Sequence, residues 1–156
     1  MEVATLATIS GIAILLLLSG LFSGSETALT AASRARMHQL AAKGNKRAKL
    51  VNRLRADQDR MIGTILLGNN LVNILGSALA TSILISVFGE AGVLYATISM
   101  TLLILVFGEI LPKTYAFRNA DRIALIIAPT FLLLVRLLGP VMSTLQLLLR
   151  GAQRIL

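Results

Sequence analysis

The sequence predicts an all-α integral membrane protein: three transmembrane helices, with amphipathic and juxtamembrane helices on the cytoplasmic side. Three observations predict it. Residues 3–22, 61–89 and 91–108 contain no Asp, Glu, Lys or Arg, and about 20 apolar residues suffice to cross a bilayer's hydrocarbon core. The apolar fraction of 56% exceeds that of a soluble globule. Nine of the 15 Lys and Arg residues fall between Arg34 and Arg60, and such clustering in one short loop marks the cytoplasmic side. The net charge of +8 is therefore read by position, as a partner for anionic membrane lipid and not for nucleic acid. At 156 residues the chain is one domain's worth, and without cysteine it forms neither disulfides nor thiolate metal sites.

The first span is expected at about 3–25. A cleaved signal peptide is the competing reading, but Met1-Glu2 supplies no basic n-region and no A-x-A-like site follows. Ser19-Gly20-Leu21-Phe22-Ser23-Gly24-Ser25-Glu26 holds two glycines and three serines, poor helix formers that predict a break. Irregular backbone at membrane depth is tolerated where it is buried or lines a cavity; a simple helix end at the interface is the other reading. The basic cytoplasmic loop, 27–60, has Ala28, Leu29, Ala32, Ala35 and Leu40 at roughly helical spacing, predicting surface amphipathic helices. Lys43-Gly44-Asn45-Lys46 predicts a turn. Lys49, Arg53, Asp57 and Arg60 are read as one helix face with i,i+4 charge support. The lone His38 lies among basic residues and reads as a surface side chain.

The second span is expected at about 61–88. It carries Gly68-Asn69-Asn70-Leu71-Val72-Asn73 and then Gly76-Ser77. Asn70, Asn73 and Ser77 share a face, which must meet protein, water or an ion rather than lipid. Helix-packing glue and ion ligation both fit that face, since small residues and amides also join membrane helices. Phe88-Gly89-Glu90-Ala91-Gly92 predicts a tight outer turn, making the second and third spans antiparallel neighbours.

The third span, about 91–112, ends in Phe107-Gly108-Glu109-Ile110-Leu111-Pro112-Lys113. An ionisable group in a span is costly and marks a functional site by default. Pro112 has no N–H to return to the Gly108 carbonyl, which leaves a bare oxygen beside the Glu109 carboxylate. A helix that merely ends at the interface, with Glu109 in water, is the alternative. Beyond it, a juxtamembrane belt is expected at about 120–150. Pro129, Arg136 and Gly139-Pro140 interrupt its apolar runs, which suits a bent helix at the inner surface with Arg136 and Arg150 reaching headgroups. The N-terminus is thus expected outside and the C-terminus in the cytoplasm.

The polar clusters offer hydroxyl, amide, carbonyl and carboxylate oxygens. Such a set suits a hard cation, Mg²⁺ or Ca²⁺, over Zn²⁺ or copper. No Ser/His/Asp or Cys/His arrangement is available, so an enzyme is not expected.

Ser23-Gly24-Ser25-Glu26-Thr27-Ala28, Gly68-Asn69-Asn70-Leu71-Val72-Asn73 and Phe107-Gly108-Glu109-Ile110-Leu111-Pro112-Lys113 resemble the three signature motifs of the CorC/CNNM transmembrane (DUF21) domain, in order and spacing, over nearly the whole chain. The resemblance implies a Mg²⁺ transporter associated with efflux, with coupling to Na⁺ by some accounts. It implies a homodimer of three-helix protomers in a cell membrane, here a bacterial inner membrane. Its ligand set carries over to Ser23, Ser25, Asn70, Asn73, Gly108 and Glu109. Full-length members continue into nucleotide-binding cytoplasmic CBS domains. This chain stops at Leu156 without them, as a piece of a longer protein would, so nucleotide regulation is not carried over. The reading from another class is a non-transporting scaffold or regulator of ion homeostasis, whose Asn and Gly residues serve only assembly.

Overall fold

The computed structural model describes residues 2–144; Arg150 and the end of the expected belt lie outside them. Helix α1 (Glu2–Ala31) is uninterrupted. The break expected around Ser23 and Ser25 does not occur, because tertiary packing overrides the low helix propensity of the glycines. A Cβ on Gly20 or Gly24 would stand 3.0 and 3.5 Å from Pro112 ring carbons. The two glycines are therefore the surface on which α1 meets the third span, a small-residue contact familiar from membrane helices.

Two short helices follow, α2 (Arg34–Ala42) and α3 (Lys46–Ala56). The Ser33 hydroxyl accepts from the Arg36 N–H at 3.3 Å and Asn45 Oδ1 from the Ala48 N–H at 3.1 Å, each satisfying an orphan donor at a helix start. Gly44, at φ 90°, makes the predicted turn in a region that favours glycine. Met37, Val51 and Leu54 are buried while the basic side chains other than Arg55 stay outside, so both helices are amphipathic as expected. Arg55 reaches across, donating to the carbonyls of Thr30 and Ala32 at 2.9 and 2.6 Å and capping the end of α1. Burial, and then the Arg34 guanidinium, push its pKa down, against the opposing pull of Asp121; arginine stays charged regardless.

Helix α4 (Gln58–Phe88) forms the second span. Asp57 begins it, its carboxylate accepting from the Arg60 N–H at 3.3 Å. The face expected to carry Lys49, Arg53, Asp57 and Arg60 is thereby corrected. The chain leaves the helical region at Asp57 (φ −118°, ψ 69°), so Arg60 belongs to a different helix. Gly89, at φ 62°, closes the outer turn.

The third span is α5 (Ala91–Leu103), a π-helical segment (Ile104–Ile110) and α6 (Leu111–Arg118). The π segment was not anticipated from the sequence. Among the described residues three helices are long and apolar enough to cross a membrane: Val3–Ala31, Gln58–Phe88 and Ala91–Arg118.

Helix α7 (Ala120–Leu137) runs on through Pro129. The interruption expected at that proline is absent: one lost hydrogen bond is outweighed by a continuous buried face of Ala124, Ala128 and Phe131. The chain does break at Leu138, and residues 139–144 are helical again. Near the start of α7, Asp121 pairs with Arg36 of α2 at 3.1 Å. Near its end, Arg136 shares a recess with Arg53 of α3 and Arg60 of α4. Both ends thus touch the basic layer, so α7 lies along that layer. The largest buried cluster sits there too, with Leu29, Met37, Val51, Met61, Ile65 and Phe131, and Phe22 meets Phe131 edge to face at 5.8 Å. Toward the other end of the spans Ile9, Leu17, Ile74 and Ile98 are exposed, as befits helices whose solvent is hydrocarbon.

Candidate functional site

The site is built where α1, α4 and the π segment converge. On α1, Ser19 and Ser23 lie one turn apart and both are buried. Ser19 donates its hydroxyl to Asn69 Oδ1 on α4 at 3.0 Å. A Cβ on Gly108 would stand 2.8 Å from Ser19 Oγ, so the absence of a side chain there lets the hydroxyl approach the π segment. Ser19 and Asn69 were not singled out from the sequence as site residues; Asn69 adjoins the asparagines that were, and Ser19 lies four residues before Ser23.

The π segment alters the reading of Pro112. The Leu111 N–H donates to the Val106 carbonyl, five residues back, as in a π register. Pro112 has no N–H for Gly108, four residues back, nor for Phe107, five back. Leu111 being committed to Val106, the proline leaves the Phe107 carbonyl without its π-register donor, whereas in that register Gly108 looks to the Lys113 N–H. The Phe107 oxygen faces α1, 3.1 Å from where a Gly20 Cβ would stand. π-Bulges are frequent at functional sites.

The Ser23 hydroxyl is buried and has no hydrogen-bond partner among the described residues. An orphaned buried hydroxyl costs about 1–3 kcal/mol. Ser25, also buried, lines a recess of about 160 Å³ with Gly20, Gly24, Pro112 and Ala116. Glu109 is partly exposed. It lines a different recess, of about 430 Å³, with Ser77 and Thr81 of α4 and Thr97 and Thr101 of α5. Asn73 is half-buried one helical turn from Ser77, and Asn70 is exposed. Within one chain the six expected residues are thus distributed: Gly108 beside Ser19, Ser23 in the same α1 stretch, Ser25 and Glu109 in separate recesses, Asn70 facing outward. Just past the site Lys113 Nζ lies 4.0 Å from Glu26 Oε2, tying α6 to α1. Among the described residues no three His, Cys, Asp or Glu side chains cluster. The oxygens where α1 meets Gly108 are neutral, and the candidate carboxylate, Glu109, lines the other recess.

The family model described as the cyclin M (CNNM) transmembrane N-terminal domain matches residues 11–156. The chain belongs to the CNNM transmembrane-domain family. It is 40% identical over 137 residues to the UPF0053 inner membrane protein YfjD of Escherichia coli, a match covering 85% of this chain and 32% of that protein. It is 37% identical over 142 residues to a UPF0053 protein of Haemophilus influenzae, covering 91% and 34%. A chloroplastic DUF21 domain-containing protein of Arabidopsis thaliana is 39% identical over 145 residues, covering 93% of this chain and 22% of the relative. The chain spans about a third of the length of its bacterial relatives. It is a membrane domain of the CNNM family, and a family of membrane domains gives no support to an enzymatic reading.

Proposed function

We propose that this CNNM domain carries Mg²⁺ across a bacterial inner membrane, outward and in exchange with Na⁺, through an oxygen-lined site that strips water from the ion. The observation that carries the reading is the Ser23 hydroxyl, buried without a partner among the described residues in the stretch of α1 that faces the π segment, whose Phe107 carbonyl has lost its donor to Pro112. A hard cation bound there gives the Ser23 hydroxyl the partner it lacks. Ser25 and Glu109 line separate recesses; on this reading they and the half-buried Asn73 join the ligand set as the helices close on the ion, Glu109 supplying the single negative charge. Mg²⁺ dehydrates reluctantly, so a site this weakly charged binds and also releases it.

The site is completed by a homodimer. Asn70 is exposed on a helix whose surroundings are hydrocarbon, where an unpartnered amide is costly; a second copy covers it. The basic layer of α2 and α3 faces the cytoplasm by the positive-inside rule, which puts the N-terminus outside. The test is Mg²⁺ flux in proteoliposomes under imposed Na⁺ and pH gradients. Flux that follows the Na⁺ gradient and disappears in Glu109→Gln is expected. Flux no faster than in empty vesicles returns the domain to a scaffold role.

A further inference from the structure

At the far end of α7 from the Arg36–Asp121 pair, α3, α4 and α7 enclose a recess of about 360 Å³. Arg53, Arg60 and Arg136 line it, one from each helix, above Leu54, Leu132 and Val135. One carboxylate, Asp57, shares the recess, but its Oδ1 is engaged by the Arg60 N–H at the start of α4. Among the described residues none of the three arginines is in an ion pair; those present are Arg36–Asp121 and Lys113–Glu26. Arg60 Nε is moreover buried with no acceptor. Three guanidinium groups against one carboxylate leave the recess net positive, a receptor for phosphate, which guanidinium binds in bidentate fashion.

We infer that this recess binds the phosphate of an anionic membrane lipid. The recess lies at the basic end of the second span, where lipid headgroups stand. Its floor is apolar, and Leu133 and Leu137 on the same helix are exposed, giving acyl chains a surface beside the charged mouth. Basic pockets between membrane helices recognise lipid headgroups in this way. Gly139 shapes the recess: a Cβ there would overlap Arg60 Nη2, so glycine lets the guanidinium lie against the backbone just after the break at Leu138. The sequence placed Arg136 near headgroups in general terms; the structure adds the two partners, the orphaned donor and the glycine that seats it.

The experiment is lipid titration of the purified protein in phosphatidylcholine nanodiscs, read by native mass spectrometry and by thermal stability. Added phosphatidylglycerol should be retained and should raise the melting temperature, while inorganic phosphate should do neither. Arg60→Gln should lower phosphatidylglycerol occupancy by about tenfold, the loss of one charge-assisted contact, and Gly139→Ala, which only displaces the end of the Arg60 side chain, should lower it less. Arg136→Gln changes an exposed side chain without risk to folding and should lower it as Arg60→Gln does. Arg118→Gln, at the end of α6 and away from this recess, should bind as wild type. Equal protection by inorganic phosphate overturns the lipid assignment. Unchanged occupancy in Arg136→Gln and Arg60→Gln overturns the site.

Discussion

Ser19 on α1 and Asn69 on α4 are joined by a 3.0 Å hydrogen bond, and the same hydroxyl fills the space that a side chain on Gly108 would need. Three spans therefore meet at one oxygen. Interhelical bonds of this kind contribute about 0.6 kcal/mol on average. A Ser19→Ala and Asn69→Ala double-mutant cycle, read by unfolding in bicelles, should return a coupling of that order. Gly108→Ala should cost more in the wild type than in Ser19→Ala, because the new methyl would meet the hydroxyl at 2.8 Å but the Ser19 Cβ only at 3.4 Å. Equal costs in the two backgrounds would show that the hydroxyl is not seated against Gly108.

The approach of α1 to Pro112 yields a graded prediction. A methyl at Gly20 would sit 3.0 Å from Pro112 Cγ and 3.1 Å from the Phe107 carbonyl oxygen. At Gly24 the nearest atom is the Pro112 carbonyl oxygen at 3.3 Å. Overpacking of this kind costs about 1–3 kcal/mol, and a proline ring cannot rotate away. Gly20→Ala should lower the melting temperature in detergent more than Gly24→Ala, and Pro112→Ala should recover part of the Gly20→Ala loss. The reverse order would place α1 elsewhere on the third span.

What was legible in the sequence divides along physical lines. The spans announce themselves because about 20 uncharged residues have few other uses, and the basic loop fixed which ends lie together. The turns at Gly44 and Gly89 follow from local chemistry. Three features failed to show because they depend on neighbours. The glycines of α1 read as a break, yet they are where another helix presses in. Pro129 read as an interruption, yet a buried alanine face holds α7 through it. The π register at Ile104–Ile110 has no residue signature at all; it moves the effect of Pro112 to include Phe107, which no spacing rule anticipates. In the candidate site the serines and Gly108 were expected from their motifs, whereas Ser19 and Asn69, which make the one side-chain bond there among the described residues, looked like ordinary neighbours of more conspicuous residues.

Ser23 separates ion binding from packing by sign. Its hydroxyl is buried and unpartnered among the described residues. With no ion bound, removing it relieves a desolvated group worth about 1–3 kcal/mol. Ser23→Ala should therefore raise the melting temperature in the absence of divalent ions, a rare outcome for a buried polar-to-apolar change at a structural position. If the hydroxyl is a Mg²⁺ ligand, the same variant should lose the stabilisation that Mg²⁺ gives the wild type, which grows as RT ln(1 + [Mg²⁺]/Kd). Glu109→Gln removes the site's one negative charge and should weaken Mg²⁺ protection more than Ser23→Ala, and Asn70→Ala less than either, since Asn70 is exposed within one protomer. The melting temperature of each variant is followed against Mg²⁺ concentration, with Na⁺ in place of Mg²⁺ as the control. A Ser23→Ala protein that is more stable without Mg²⁺ and gains little from it meets both expectations. One that keeps the full wild-type response, with Glu109→Gln keeping it too, excludes the ion site and leaves these residues as packing alone.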